Sequence, residues 1–294
     1  MISETPGFAV YNADKLAIPL LLSVPHAGRE YPDNIFDNLR LLPENLLRLE
    51  DRYADLLARE AIASGVPTII ASRARAWIDL NRDESDIDVA MVDGIDSAAH
   101  SLPRSLPPPS AKQRGGLGLI PRRLSGAGEI WKKPITVQEL DHRIISHHRP
   151  YHAQIEQKLR SMRDQFGCAL LLDLHSMPPI GPISAKMAPR FVVGDLFGRS
   201  AATPFSDLAA SYLRAQGFVA ALNYPYSGDY ILRRHGDPNR NIHAIQIEVD
   251  RSLYLDATLR EPAAAASKIA RIVAELIQLL VDAAARHDML IAAE

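Results

Sequence analysis

The chain of 294 residues carries a single cysteine, Cys168, only two tryptophans, and 6% aromatic residues. One thiol excludes a disulfide framework within the chain, and Cys168, set in an apolar run, reads as a small buried hydrophobe. Charge of one sign is also lacking. The 33 Lys and Arg against 35 Asp and Glu leave a net charge of −2. The cations are scattered, so nothing resembles a field for nucleic acid. No apolar run is long enough to cross a bilayer, since residues 16–24 are interrupted by Pro19 and Ser23. The opening MISETPGFAVYN lacks the cationic stretch and apolar core of a secretory signal. The expectation is a soluble protein of the cytoplasm, without nucleic-acid or membrane partners. HExxH, GxSxG, paired CxxC and GxGxxG are all absent. Their absence argues against a zincin, a serine hydrolase, a zinc ribbon and a dinucleotide enzyme.

What is present is an alternation of short branched-apolar runs with longer helical periodicities. Strands are expected at residues 20–24, 68–72, 76–80, 169–174, 191–193, 218–222 and 245–249. Helices are expected at 43–64, at 137–165 with a kink or split at Pro150, at 204–215 closed by Gly217, and at 261–286. This alternation predicts an α/β fold with a mostly parallel or mixed central sheet and helices on both faces. No linker is evident, so residues 1–294 read as a single domain. Residues 82–134, rich in Pro, Gly, Ser and charge, read as a long insertion, and a functional loop whose arginines fold over a site is the favoured interpretation.

Two of the apolar runs deliver a histidine: LLLSVPHAG ends on His26 and LLLDLHSMPP on His175. Open α/β sheets bind ligands at the carboxyl ends of their strands, so two imidazoles there suggest a shared metal. Gly28 is expected to allow a sharp turn after His26. An acidic ligand is expected from Glu50, Asp51 or Asp55, in LEDRYAD. Asp173 precedes His175 by two and shares its side of the strand, which suits a carboxylate orienting the ring. Glu248, in IQIEVD, is placed to act as a general base. Asn81 and the fork-shaped guanidiniums of Arg82, Arg122, Arg123 and Arg234, together with His152 and Tyr230, are candidate contacts for a small anionic substrate.

SVPHAG, DRYADLL, IDLNRD, PYH, LLLDLHSM, SGDYILRRHG and HAIQIEVDRSLY follow one another between about residues 20 and 256. In that order they resemble the N-formylglutamate amidohydrolase family. The resemblance implies a zinc-dependent, three-layer α/β/α fold related to the zinc exopeptidases. It also implies hydrolysis of N-formyl-L-glutamate to formate and L-glutamate, the last step of one histidine-degradation route. The order His, acid, His, Glu is similar to that of zinc N-acetylmuramoyl-alanine amidases. By that likeness His26, Asp51 and His175 hold Zn2+ and Glu248 is catalytic. Iron, cobalt or nickel would suit the same ligands. A zinc peptidase or peptidoglycan-type amidase with a larger substrate, and a non-catalytic member of the fold, are the alternative readings. Oligomeric state is not legible.

Overall fold

The structure is a computed structural model that describes residues 7–14, 16–94, 108, 110–180 and 188–291. In chain order its strands are β1 (Phe8–Tyr11), β2 (Leu20–Val24), β3 (Thr68–Ala71), β4 (Val92–Asp93), β5 (Arg123–Leu124), β6 (Gly128–Glu129), β7 (Ile135–Thr136), β8 (Ala169–Met177), β9 (Phe191–Gly194), β10 (Ala220–Leu222) and β11 (Ile242–Asp250). Its helices are α1 (Ala54–Leu57), α2 (Arg59–Ala63), α3 (Ala111–Arg114), α4 (Val137–Arg143), α5 (Arg149–Phe166), α6 (Thr203–Ala215), α7 (Tyr230–His235) and α8 (Ala266–Ile291). The chain forms two compact units: Met1–Ala9, Pro25–Glu50 and Ala71–Ala153 in the first, Val10–Val24, Asp51–Ile70 and Gln154–Glu294 in the second.

The second unit is built on a seven-stranded sheet in the order β1-β3-β2-β8-β11-β9-β10. β2 runs parallel to β3 and β8, and β8 parallel to β11, whereas β9 is antiparallel to β11. This is the α/β class with a mixed sheet that the alternation predicts. β2, β8 and β11 are buried along their whole length. That is why β2 and the first half of β8 read as nearly continuous apolar runs, whereas β11 alternates Ile245, Ile247 and Val249 with Gln246, Glu248 and Asp250 although both its faces are buried. α8 packs on β2 and β8 and on α1, α2 and α6, while α7 packs on β8 and β11.

The first unit contains a parallel β4–β7 pair and an antiparallel β5–β6 hairpin. The described part of the insertion is folded. Ser110 caps α3 in a reciprocal box with Gln113, and Trp131 is buried with its Nε1 donating to the Pro121 carbonyl at 2.7 Å. Most of SLPRSLPPPS lies outside the described residues.

Several expectations are corrected. Residues 76–80 form no strand: the Trp77 amide turns back to the Ala74 carbonyl, and the Asn81 amide donates to Asp79 Oδ1 at 2.9 Å. The expected helix at 43–64 is divided into a 3-10 turn at Pro43–Arg48 and the short α1 and α2. Tyr53, at φ +57, breaks the run. Around Pro150 the helical run is unbroken from Val137 to Phe166. It widens into a π turn at Ile144–His148, which accommodates a residue with no N–H to donate. α8 starts at Ala266, because the preceding segment folds back through Asp256 N–H to Glu261 O and Ala263 N–H to Tyr254 O. The strand expected at 169–174 continues to Met177, so His175 lies inside β8 and not beyond its end.

Candidate active site

In the second unit the site is organised by strand register. Glu248 of β11 is the direct partner of His175 of β8, and one pleat earlier Gln246 partners Asp173. Partners on adjacent parallel strands project to the same face, so the four form two neighbouring rows. Ser23 of β2 extends the earlier row and donates to Asp173 Oδ1 at 2.8 Å. Asp173 Oδ2 is hydrogen-bonded to His175 Nε2 at 2.8 Å, which fixes the ring. The other ring nitrogen, Nδ1, is 2.9 Å from Asp51 Oδ2. Burial alone would push the His175 imidazole down. The Asp173 carboxylate and its hydrogen bond, reinforced by Asp51, outweigh that and hold it well above the ordinary histidine range. Gln246 Nε2 donates to Glu248 Oε1 at 3.0 Å, orienting a carboxylate that is 9% exposed and so still reachable.

Asp51 itself is clamped. Oδ2 accepts the Ser176 amide at 3.2 Å, and Oδ1 accepts Arg251 Nη2 at 2.9 Å. Arg251 also reaches Ser176 through Nε. Arg251 escaped the sequence reading, and its place in IEVDRSLY directly after β11 was the available signal. Of the other acids, Glu50 is buried against Tyr31, whose hydroxyl donates to Oε1 at 2.5 Å, and Asp55 is half-buried in the first turn of α1.

In the first unit His26 follows β2 in a turn. A Cβ on Gly28 would stand 2.1 Å from the Arg73 carbonyl oxygen, so glycine is required there by close backbone approach and not, as expected, by an unusual turn. His26 Nε2 is paired with Asp79 Oδ1 at 2.7 Å. Asp79 is fully buried and bonded to Arg75 at 2.8 Å, with Arg82 Nε at 3.9 Å. Burial would raise its carboxyl pKa. Arg75, Arg82 and His26 overcome that and keep it well below the usual carboxylate range, hence ionised. Sequence reasoning missed Asp79 because it placed residues 76–80 in a strand. The two histidines share one pattern, with Nε2 on a buried aspartate that orients the ring.

His26 of the first unit and Asp51 and His175 of the second are all buried. Two imidazoles with carboxylate partners and one carboxylate form a donor set that suits zinc.

The remaining candidates are distributed differently. Asn81 and Arg82 are buried, and Arg82 donates to the carbonyls of Asn81 and Leu117. His152 is fully buried with Nε2 on the Leu80 carbonyl, a bracing position for the segment that carries Asn81. Arg122 is bonded within the insertion to Asp88 and Glu129, and Arg123 is exposed on β5. Arg234 is exposed and donates to the Tyr230 hydroxyl at 2.5 Å, a neutral partner.

The mixed α/β sheet thus presents a histidine and a glutamate side by side, the groups of a hydrolase site. The N-formylglutamate amidohydrolase family model matches residues 18–255, and the chain belongs to that family. It is 31% identical over 251 residues to an N-formylglutamate deformylase of Pseudomonas putida, covering 82% of this chain and 83% of that one. It is 27% identical to the deformylase of Pseudomonas aeruginosa, over 81% and 83% of the two chains. The crystal structure of N-formylglutamate amidohydrolase from Ralstonia eutropha JMP134 superposes with a TM-score of 0.85 at 29% identity, covering 96% of this chain and all of that one.

Proposed function

We propose that this chain hydrolyses the formamide of N-formyl-L-glutamate to formate and L-glutamate, in the cytoplasm, within histidine breakdown. The observation that carries this reading is the register of Glu248 beside His175, whose ring meets the buried Asp51, in a member of this family. His26, Asp51 and His175 would hold zinc. With each Nε2 turned to an aspartate, the Nδ1 atoms are the nitrogens that would face it. Bound zinc would polarise the formyl carbonyl and bring the pKa of water towards about 7.

The chain's own groups then divide the work. Glu248, held by Gln246, accepts the proton of the water that adds to the formyl carbon. As the C–N bond breaks, the same carboxyl returns that proton to the departing amine, so glutamate leaves with a neutral nitrogen, and the formic acid that remains gives up the water's second proton to become formate. Asp173 and Asp79 keep the two imidazoles in place, and Arg251 keeps Asp51 oriented. Arg234, whose charge meets a phenol, is assigned to a substrate carboxylate, and Asn81 and Arg82 are assigned to the amide.

The test is formate release from N-formyl-L-glutamate, with chelator-treated and zinc-reconstituted protein. N-formyl-aspartate, N-acetyl-glutamate and a short peptide serve as comparisons. Zinc-dependent turnover preferring N-formyl-L-glutamate is expected. Preference for the peptide would overturn the substrate assignment, and undiminished turnover after complete metal removal would overturn the metal.

A further inference from the structure

The first unit encloses a cavity of about 390 Å³ whose lining includes no residue given a role above. That volume lies within the ~300–1,000 Å³ typical of small-molecule sites. Its floor is made of buried Ile35, Trp77, Trp131 and Arg143. The floor's one charge is already paired, and its one unpaired buried donor among the described residues is Trp77 Nε1–H. The Arg143 guanidinium lies 3.5 Å over the Trp77 ring and is bonded through Nε to Glu139 at 3.0 Å. Trp131 has satisfied its N–H on Pro121, so it offers the cavity an apolar ring.

The rim is different. Asp37 and Lys133 stand on it, both exposed, and neither has an ion-pair partner among the described residues. Their positions are set by the backbone. The Asn38 side chain accepts the Lys133 amide at 3.1 Å and donates to the Lys133 carbonyl at 2.9 Å. The neighbouring Lys132 Nζ donates to the Asp37 carbonyl at 3.1 Å. One carboxylate and one ammonium are thereby held at the mouth of an apolar chamber.

We infer that this cavity binds a free α-amino acid with an apolar or aromatic side chain. The ligand's ammonium meets Asp37, its carboxylate meets Lys133, and its side chain descends against Ile35 and the two indoles. A simple anion would find Asp37 repulsive, and an acidic side chain would be buried without a free cation.

Trp77 and Trp131 are the chain's two tryptophans, so selectively excited tryptophan emission arises entirely from the lining of this cavity. The full-length protein is titrated with L-phenylalanine and L-leucine. L-phenylalaninamide, N-acetyl-L-phenylalanine and L-glutamate are the controls. A saturable emission change is expected for the two free amino acids, with a dissociation constant of about 1 mM or tighter. The controls should bind at least tenfold more weakly. Asp37→Asn and Lys133→Gln should each weaken binding about tenfold while leaving formate release unchanged, since neither residue belongs to the hydrolytic site. No saturable change up to about 20 mM, binding of the capped compounds or of glutamate as strongly as phenylalanine, or indifference to both substitutions would each overturn the assignment.

Discussion

The two histidines are each oriented by a buried aspartate, from opposite structural circumstances. His175 lies in the interior of a nine-residue strand, braced by Asp173 two residues earlier on the same strand. His26 lies in a turn, braced by Asp79 from a segment 53 residues away in sequence. The strand arm is rigid by virtue of its ladder, and its aspartate has a neutral second partner in Ser23. The turn arm needs a glycine for close approach and an aspartate compensated by two arginines. Regular structure makes an orienting carboxylate a local matter, whereas a loop requires a network.

The largest expected effect concerns the strand side. Glu248→Gln should lower kcat by about 10²–10⁴ while zinc content stays at the wild-type level, measured by formate release and metal analysis. Unimpaired turnover would move the base to another residue and remove the register argument.

Next, Asp173→Asn and Asp79→Asn should each weaken zinc binding about 10–100-fold in chelator competition. Stability of the metal-free protein should separate them. Asp79→Asn leaves Arg75 and Arg82 without their carboxylate and should cost about 3 kcal/mol or more by denaturant unfolding. Asp173→Asn disturbs neutral and imidazole partners and should cost about 1–2 kcal/mol. Equal losses would erase the contrast between the arms.

Gly28→Ala should destabilise by about 1–3 kcal/mol, since the added methyl meets the Arg73 backbone and not a flexible side chain. A neutral substitution would show the turn arm to be more plastic than its contacts imply.

The smallest effect is a control on the first unit. Glu84 bonds Arg149 and approaches His148 at 3.5 Å. Burial would raise its pKa, but hydrogen bonds from His148 and Arg149 lower it from 4.5 to about 2. A depressed carboxyl contributes stability that is complete above the unfolded value and is lost as pH falls through the folded one. Glu84→Gln should therefore cost about 1 kcal/mol at pH 6. The gap to wild type should close between pH 4.5 and about 2, with zinc affinity unchanged.

Legibility followed the same division. LLLDLHSM and HAIQIEVD announced buried strands, and Asp173 and His175 could be paired because a period of two puts alternate residues on one face. The strand was read as ending at Leu174 because a His-Ser-Met tail looks like turn chemistry. In the fold its ladder with β11 continues to Met177. Asp79 was hidden inside an apolar run that resembles a strand but has no neighbour to pair with. Arg251 was visible only as one more arginine, since its partner Asp51 is 200 positions away. Arg122 read as a substrate clamp, yet its charge is met by Asp88 and Glu129, which local spacing could not reveal.

By itself the sequence determined the α/β class, the buried strands and the chemical type of the donors, because those follow from periodicity and from what imidazoles and carboxylates can do. Tertiary structure alone decided that Glu248 stands beside His175, that Asp79 turns His26 and that Arg251 holds Asp51. Such pairings depend on strand order and loop return, and no local pattern in a chain encodes how far away its partner will be.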